Sequence, residues 1–290
     1  MGRYRRRLRK QNKAHKGPSF RADLHMHTLR SDGRKSSAQV LSECARGGLQ
    51  VIAITDHDIA PIVQHGVQCI EGKIVHVIHG VELSGTHEDK EYHLLAYFPE
   101  EMPEEFRLFC RDLCRSRSVR YDKSIDNLGM NLPKSSVQAQ RGEMALTRTH
   151  LAQEMVRAGY VDSYRQAFQI HLNRPDVVPR IELSFIDAIK EAKRHGAFLS
   201  WAHPSLEVVK RYGKKFSEEG LDALEVIRPR QGKRQRKDLR KMAEHLGLFI
   251  SGGSDSHGSG PALGTFAFSS RDMLWSERVG INPSNFNSDN

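Results

Sequence analysis

The chain has 290 residues, 38% of them hydrophobic and 28% charged, with a formal net charge of +10. That balance suits a soluble globular protein with one large core or two small ones and excludes a disordered chain, and no run approaches the ~18 apolar residues of a membrane-spanning helix. The four cysteines, Cys44, Cys69, Cys110 and Cys114, show no paired framework, so reduced thiols are expected, with Cys110 and Cys114 packed one helical turn apart.

Eight of the first sixteen residues are Lys or Arg. No apolar segment follows them, so the N-terminus does not read as a secretory signal and a cytoplasmic location is expected. Residues 1–20 are read as a basic arm, which either attracts polyanions such as RNA without reading sequence or is simply solvated. The stretch RADLHMHTLRSDG (21–33) then alternates as a half-buried strand does, placing His25 and His27 on one face, with Asp32 arriving from the following loop. Imidazoles and a carboxylate suit divalent zinc, manganese or iron, although such a histidine pair in isolation is more often merely solvated or hydrogen-bonded. SSAQVLSECARGGL has helical apolar spacing after a serine start and stops at Gly47 and Gly48. VIAITDHD, IVHVIHGVELSG and EYHLLAYF are further strands, completing a first barrel segment over residues 21–100.

Residues 101–180 carry helical patterns but no convincing strand, and are read as a helical insertion. A second barrel segment, 181–270, opens with the helix SFIDAIKEAKRHGA, with Ser184 as N-cap and Gly196 as stop, and continues through the strands AFLSWAHP, ALEVIRP and LFISGGSDSHG. Residues 271–290 end in NPSNFNSDN, whose composition leaves little to bury, so a disordered tail is expected. Strands alternating with helices imply an α/β barrel or a doubly wound sheet.

In a parallel barrel the loops at the C-terminal strand ends converge on one mouth. His25 and His27 close the first strand, Asp56 and His57 the second, Glu82 follows the third, His203 ends AFLSWAHP, and Asp255 and His257 follow LFISGG. His93 joins them only if SGTHEDKE turns the chain into an antiparallel pair. So many metal-competent side chains at one mouth make a metal site the expected reading.

The segments DLHMHTLRSDG, AITDHD, GVELSG, YHLLAYF, WAHP and GGSDSHG occur in the order and approximate spacing of the PHP (polymerase and histidinol phosphatase) phosphoesterases, and residues 22–264 resemble that family. LTRTHLAQEMVRAGYVDSYRQAF is similar to the helical insertion of its bacterial branch of nucleoside 3′,5′-bisphosphate phosphatases and 5′ to 3′ exoribonucleases. The resemblance implies a distorted seven-stranded β/α barrel, an α/β fold with a helical insertion subdomain, whose mouth holds two or three divalent metals. On its pattern His25, His27, Glu82 and Asp255 hold one ion, Glu82 bridges to a second held by His93 and His203, and Asp32, His57 and His257 hold the third. Mixed oxygen and nitrogen ligands fit manganese, iron or zinc. Arg148 and His150 of the insertion, and after them Arg117 and Arg120 as further candidates, look like groups that reach substrate phosphates, or else lie on solvated helix faces. Glu82, Asp255, Arg148 and His150 are the residues to which catalysis is assigned.

Two features depart from the family pattern: Ser256 stands where an aromatic residue is frequent, and EVIRPRQGKRQRK is unusually basic, either for polyanion contact or as a solvated face. Asp58 either orients His57 or caps a helix. His65, His76, His79, His87, His171, His195 and His245 match no motif and are read as surface or satisfied core histidines. Divalent ions lower the pKa of a shared water towards neutrality and hold the resulting hydroxide as nucleophile, while arginines take the remaining phosphate oxygens. The expected function is therefore phosphoester hydrolysis on nucleotides, either 5′ to 3′ on short RNA or on nucleoside 3′,5′-bisphosphates. A histidinol-phosphatase-like phosphomonoesterase and a non-catalytic, metal-stabilised RNA-binding module are the alternatives.

Overall fold

Seven apolar strand runs, each too hydrophobic to face water on both sides, assemble into one curved sheet in the computed structural model, which describes residues 20–282 and residue 286. They are β1 (Arg21–Asp23), β2 (Val51–Ile54), β4 (Lys73–His87), β5 (Lys90–Phe98), β6 (Phe198–Trp201), β7 (Ala223–Ile227) and β8 (Phe249–Gly252), neighbours in that order. A parallel bridge between Met26 and Ser256 brings the chain beyond β1 against the chain beyond β8 and nearly closes the barrel. Two antiparallel strands add to the seven expected: β3 (Gly66–Ile70), a hairpin with β4, and β9 (Phe268–Ser269), beside β1.

β5 runs antiparallel to both β4 and β6, while the other neighbouring pairs of the barrel are parallel. Reversal puts the start of β5 at the mouth where the other strands end, and Ser84 of β4 pairs with His93. The strand ends are shorter than their apolar runs suggest: β1 stops at Asp23 and β2 at Ile54, so His25, His27, Asp56 and His57 lie in the chain beyond them.

Helices cover the outside. In α1 (Ser37–Arg46) the Ser36 hydroxyl accepts from Gln39 N and Gly48 follows in the left-handed region, as the sequence reading places them. α2 (Glu104–Leu128) opens a segment without strands that continues through α3 (Val137–Gln140), α4 (Arg148–Arg157) and α5 (Tyr164–Ala167). α6 (Phe185–Arg194), capped by Ser184, α7 (Leu206–Glu218) and α8 (Lys233–Leu246) alternate with the last strands. Phe106 and Cys110 of α2 pack with the barrel's outer core, whereas Tyr121 and Ile125 join Leu151, Met155 and Leu172 in a separate apolar cluster. One helix thus belongs to both cores. The four cysteines are free, and among the described residues no helix is long and apolar enough to cross a membrane.

Both ends of the chain depart from expectation. Phe20, placed in the basic arm by composition, is buried with Met273, Trp275, Val279 and Ile281 against Tyr97 and Phe198. Trp275 stacks on Phe198 at 4.0 Å and donates Nε1–H to Ile250 O at 2.8 Å. Residues 273–281 therefore form a plug under the barrel rather than a disordered tail, because a few large apolar groups outweigh a polar average. The rest of the arm, residues 1–19, lies outside the described residues.

Candidate metal centre

Glu82 sits at the middle of the mouth because β4, paired with β5 along its length, runs past the end of β2, and His57 bridges to it. Its Oε2 lies 3.2 Å from His25 Nε2, from His27 Nε2 and from His57 Nδ1. The other oxygen, Oε1, lies 3.0 Å from His93 Nδ1 and 3.1 Å from His203 Nε2. Asp255 Oδ1 stands 3.4 Å from both His25 Nε2 and His27 Nε2. On the side covered by the helical insertion, the lid of the site, Asp32 Oδ1 is 3.3 Å from His257 Nε2 and 3.8 Å from His27 Nδ1 and from His57 Nε2. All nine side chains come to one mouth. His27 and His57 each turn one nitrogen to Glu82 and the other to Asp32, a sharing that the resemblance does not supply.

Close approach has a backbone cost. His203 and Asp255 adopt φ of 35° and 54°, a left-handed conformation disfavoured for residues with a Cβ. Gly253 is required because a Cβ there would lie 2.3 Å from His25 Cβ, and one on Gly33 would lie 2.4 Å from His27 O.

The donor atoms test whether a metal fits. His25 Nε2, His27 Nε2, Asp32 Oδ1, His57 Nδ1 and Glu82 Oε2 are all buried without a hydrogen-bond partner. Such crowded, unpaired polar atoms are costly unless something else satisfies them. Metal–ligand bonds of about 2.0–2.2 Å put adjacent donors on one ion roughly 3.0–3.5 Å apart, which is the spacing seen around Glu82. Three donor groups can each hold an ion: His27, Asp32, His57 and His257; His25, His27 and Asp255; and His57, Glu82 and His93.

Electrostatics agree with a site for cations. Burial raises the Glu82 pKa, but the surrounding imidazoles outweigh it and hold the carboxyl well below the usual range. Asp32 and Asp255 are likewise lowered by their histidines against burial. Without a cation, burial opposes the charged imidazoles, yet the carboxylates prevail and raise His27 to about 10 and His93 to about 9. His57 goes the other way, pushed down by burial and neighbouring imidazoles.

Behind these groups stand carboxylates that orient them. Glu225, which sequence reasoning missed, is fully buried and receives His25 Nδ1 at 2.9 Å and the His203 backbone N–H at 2.7 Å. Its signal was available: an acid within the buried run ALEVI must have a partner. Asp56 accepts from Thr28 N, Thr28 Oγ1 and Ser31 Oγ, so it holds the loop carrying Asp32 rather than facing the cluster. Asp58 neither orients His57 nor caps a helix; it accepts from Ser84 N and from Arg117 Nε. Among histidines outside the motifs, His79 is satisfied by Val63 O and Met102 N, while His65 and His76 each keep a buried Nε2 without a partner.

The insertion roofs the mouth, enclosing a cavity of about 150 Å³ between Asp32, His57 and His93 below and Arg120, Arg148 and Phe168 above. Thr149 Oγ1 donates to Asp32 Oδ2 at 3.3 Å. Arg117 is buried and fully engaged, donating to Asp58, Leu146 O and Ser84 Oγ, and Arg120 donates to Pro179 O and Glu91. Arg148 is the loosest of the three, 34% exposed, 3.9 Å from Glu91 Oε1 and resting over the Phe168 ring. His150 does not reach the cavity. Its Nδ1 accepts from Thr147 N at 3.1 Å in the capping box of α4, and burial lowers its pKa.

The model of a family described as the PHP domain matches residues 23–162. The chain is 28% identical to the 5′-3′ exoribonuclease Rnm of Escherichia coli over 81% of this chain and 84% of that protein. It is 24% identical to the 3′,5′-nucleoside bisphosphate phosphatase of Chromobacterium violaceum, over 82% of this chain and 87% of that one. A crystal structure from Bifidobacterium adolescentis superposes with a TM-score of 0.69 at 23% identity, covering 90% of this chain and 96% of that chain, and shares the fold.

Proposed function

The chain is a PHP-domain phosphoesterase, and from that premise we propose that its substrates are nucleotides bearing more than one phosphate: nucleoside 3′,5′-bisphosphates, or 5′-phosphorylated short RNA degraded from its 5′ end. The observation that carries this reading is the pairing of five unpartnered, buried donor atoms around Glu82 with an arginine-roofed cavity directly above them. The names of the relatives from E. coli and C. violaceum point to the same substrates.

His25, His27, Asp32, His57, Glu82, His93, His203, Asp255 and His257 would hold two or three divalent ions, since one ion cannot use so many donors. Oxygen and nitrogen donors in this mixture suit manganese, iron or zinc. When bound, such ions supply the Lewis acidity that makes water nucleophilic near neutral pH and neutralises phosphate oxygens. The protein's own groups do the rest. Glu225 holds His25 and His203 in place. Asp255, at 36% exposure the most accessible carboxylate of the cluster, orients a water towards phosphorus. Arg148 exchanges its long contact with Glu91 for a phosphate that the ions do not hold, and His150 positions the helix start that carries it. The basic residues 1–16 add diffuse attraction for polyanions.

Metal binding should expel protons. A ligating nitrogen must be unprotonated, and His27 and His93 titrate at about 10 and about 9 in the cation-free cluster. Both therefore carry protons at pH 7, and apparent affinity should rise with pH until about 9–10. Titration calorimetry with manganese in buffers of different ionisation heat is expected to show net proton release at pH 7. An affinity unchanged between pH 6 and pH 9 would contradict the cluster as ligand set.

The substrate class is tested by Arg148→Ala. A charge-assisted contact to a second phosphate contributes ~1.5–3 kcal/mol, or roughly tenfold to a hundredfold in kcat/KM. The variant should lose that much on adenosine 3′,5′-bisphosphate and on 5′-phosphorylated RNA but little on p-nitrophenyl phosphate, which has no second phosphate. Equal losses on all three would mean that Arg148 grips the scissile group, and would return a small-phosphomonoester enzyme to equal standing.

A further inference from the structure

A second and larger cavity, about 460 Å³, opens beside the cluster at Asp255. Asp255 belongs to both cluster and cavity, and no other residue of the proposed ligand set lines it. Its walls include Asp23, Arg228, Arg230, Ser256 and Phe266, and none of its lining residues is shared with the lid cavity. Two polar atoms on these walls are buried without a hydrogen-bond partner, Asp23 Oδ2 and Arg228 Nε, the latter only at the 4.0 Å edge of an ion pair with Glu225 Oε2. Arg230 holds φ at 57°, the strained left-handed conformation.

The cavity wall continues directly into α8. Residues 228–241 contain eight Lys or Arg and one acid, Asp238. Elsewhere on the surface cations are commonly matched, as in Lys35–Glu43, Lys134–Asp126, Lys190–Glu219 and Lys193–Asp222. Here Arg230, Lys233, Arg234, Lys237 and Lys241 are exposed and have no ion pair among the described residues, whereas Arg240 pairs with Asp272. Lys233, Lys237 and Lys241 recur at every fourth position, so they form one row along the helix, about 6 Å apart.

We propose that this cavity and the Lys233–Lys237–Lys241 row bind the strand downstream of the cleaved bond in a single-stranded RNA. The inference rests on the nucleotide-phosphoesterase reading and adds a polarity to it: the 5′-terminal phosphate lies under Arg148, the scissile phosphate at the cluster, and the departing strand runs past Asp255. Phe266 offers a face for base stacking, and the arginines and lysines meet successive phosphates. A mononucleotide fills the lid side and reaches none of this, so the row makes no contribution to bisphosphate hydrolysis.

The test is equilibrium binding of a 5′-phosphorylated decanucleotide RNA to the full chain, in chelator so that nothing is cleaved, as a function of salt. Each lost phosphate contact on a single strand lowers the slope of log K against log salt by ~0.7. Arg230→Ala/Lys233→Ala/Lys237→Ala is expected to lower it by about 2 and to weaken binding at low salt at least tenfold, with bisphosphate hydrolysis within twofold of the parent. A control triple, Lys73→Ala/Lys134→Ala/Lys190→Ala, removes the same charge elsewhere and should change the slope by less than one. Equal slopes for the parent and the first triple would overturn the proposal, as would equal losses in the two triples, which would mark a diffuse charge effect. If the parent hydrolyses neither RNA nor bisphosphate, the substrate reading fails, while the binding slopes still decide whether this face is an RNA track.

Discussion

Glu82→Gln is expected to lose about a hundredfold or more in kcat at saturating manganese, the equivalent of ~2.7 kcal/mol of transition-state stabilisation. The amide keeps the shape of the carboxylate and removes its charge. That charge faces five imidazoles: three within 3.2 Å of one oxygen and two within 3.1 Å of the other. No other donor of the cluster touches so many of the rest. Removing a peripheral donor such as His257, whose Nε2 lies 3.3 Å from Asp32, should cost less. Loss of the carboxylate also removes a reason for His25 and His27 to be charged, so these rings can become neutral in place and the fold should largely survive. Elemental analysis should show at least one ion fewer per chain than in the parent. A variant retaining more than a tenth of the parent turnover would show that Glu82 is not the centre of the site.

Arg117→Met is expected to destabilise the protein by about 3–5 kcal/mol, the usual cost of removing one partner of a buried ion pair. Asp58 Oδ2 receives Arg117 Nε at 2.6 Å, with the two side chains 3% and 6% exposed. Burial opposes the guanidinium charge, but Asp58 and Glu91 outweigh it and raise the Arg117 pKa. The remaining nitrogens donate to Ser84 Oγ at 2.7 Å and Leu146 O at 3.1 Å, so one side chain joins α2, strand β4 and the loop that leads into α4. Without it Asp58 is left as a buried acid whose remaining partner is the Ser84 N–H. At roughly 2–4 °C per kcal/mol, the melting temperature should fall by about 6–20 °C. Asp58→Asn/Arg117→Met should recover part of the loss, because the stranded charge is then gone. A single variant melting within 2 °C of the parent would show that the insertion is held to the barrel by its apolar contacts alone.

Local sequence was sufficient wherever the deciding physics is local. Ser36 and Ser184 announce helix starts because a hydroxyl at that position satisfies a free backbone N–H a few residues on, and both hydroxyls do so. His25, His27, Asp32, His57, Glu82, His93, His203, Asp255 and His257 could be gathered to one mouth because parallel barrel topology delivers the ends of apolar runs to a single rim. The placement of His93 needed only the turn at SGTHEDKE, which reverses the strand.

Tertiary structure alone decided which polar group meets which. Arg117 and Asp58 are 59 positions apart, and Glu225 and His25 are 200 apart; no periodicity relates such residues. Arg117 was legible as a cation near the lid, but its three acceptors, not its charge, make it a tie between insertion and barrel. His150 was legible as a histidine at the right place in the insertion, and the capping geometry of α4 then claimed its nitrogen. The same limit explains the C-terminus: Met273, Trp275, Val279 and Ile281 look sparse in a polar stretch, and only the open base of the barrel, floored by Tyr97 and Phe198, makes burying them favourable. Composition counts what a segment carries, whereas burial depends on the cavity that distant parts of the chain leave for it.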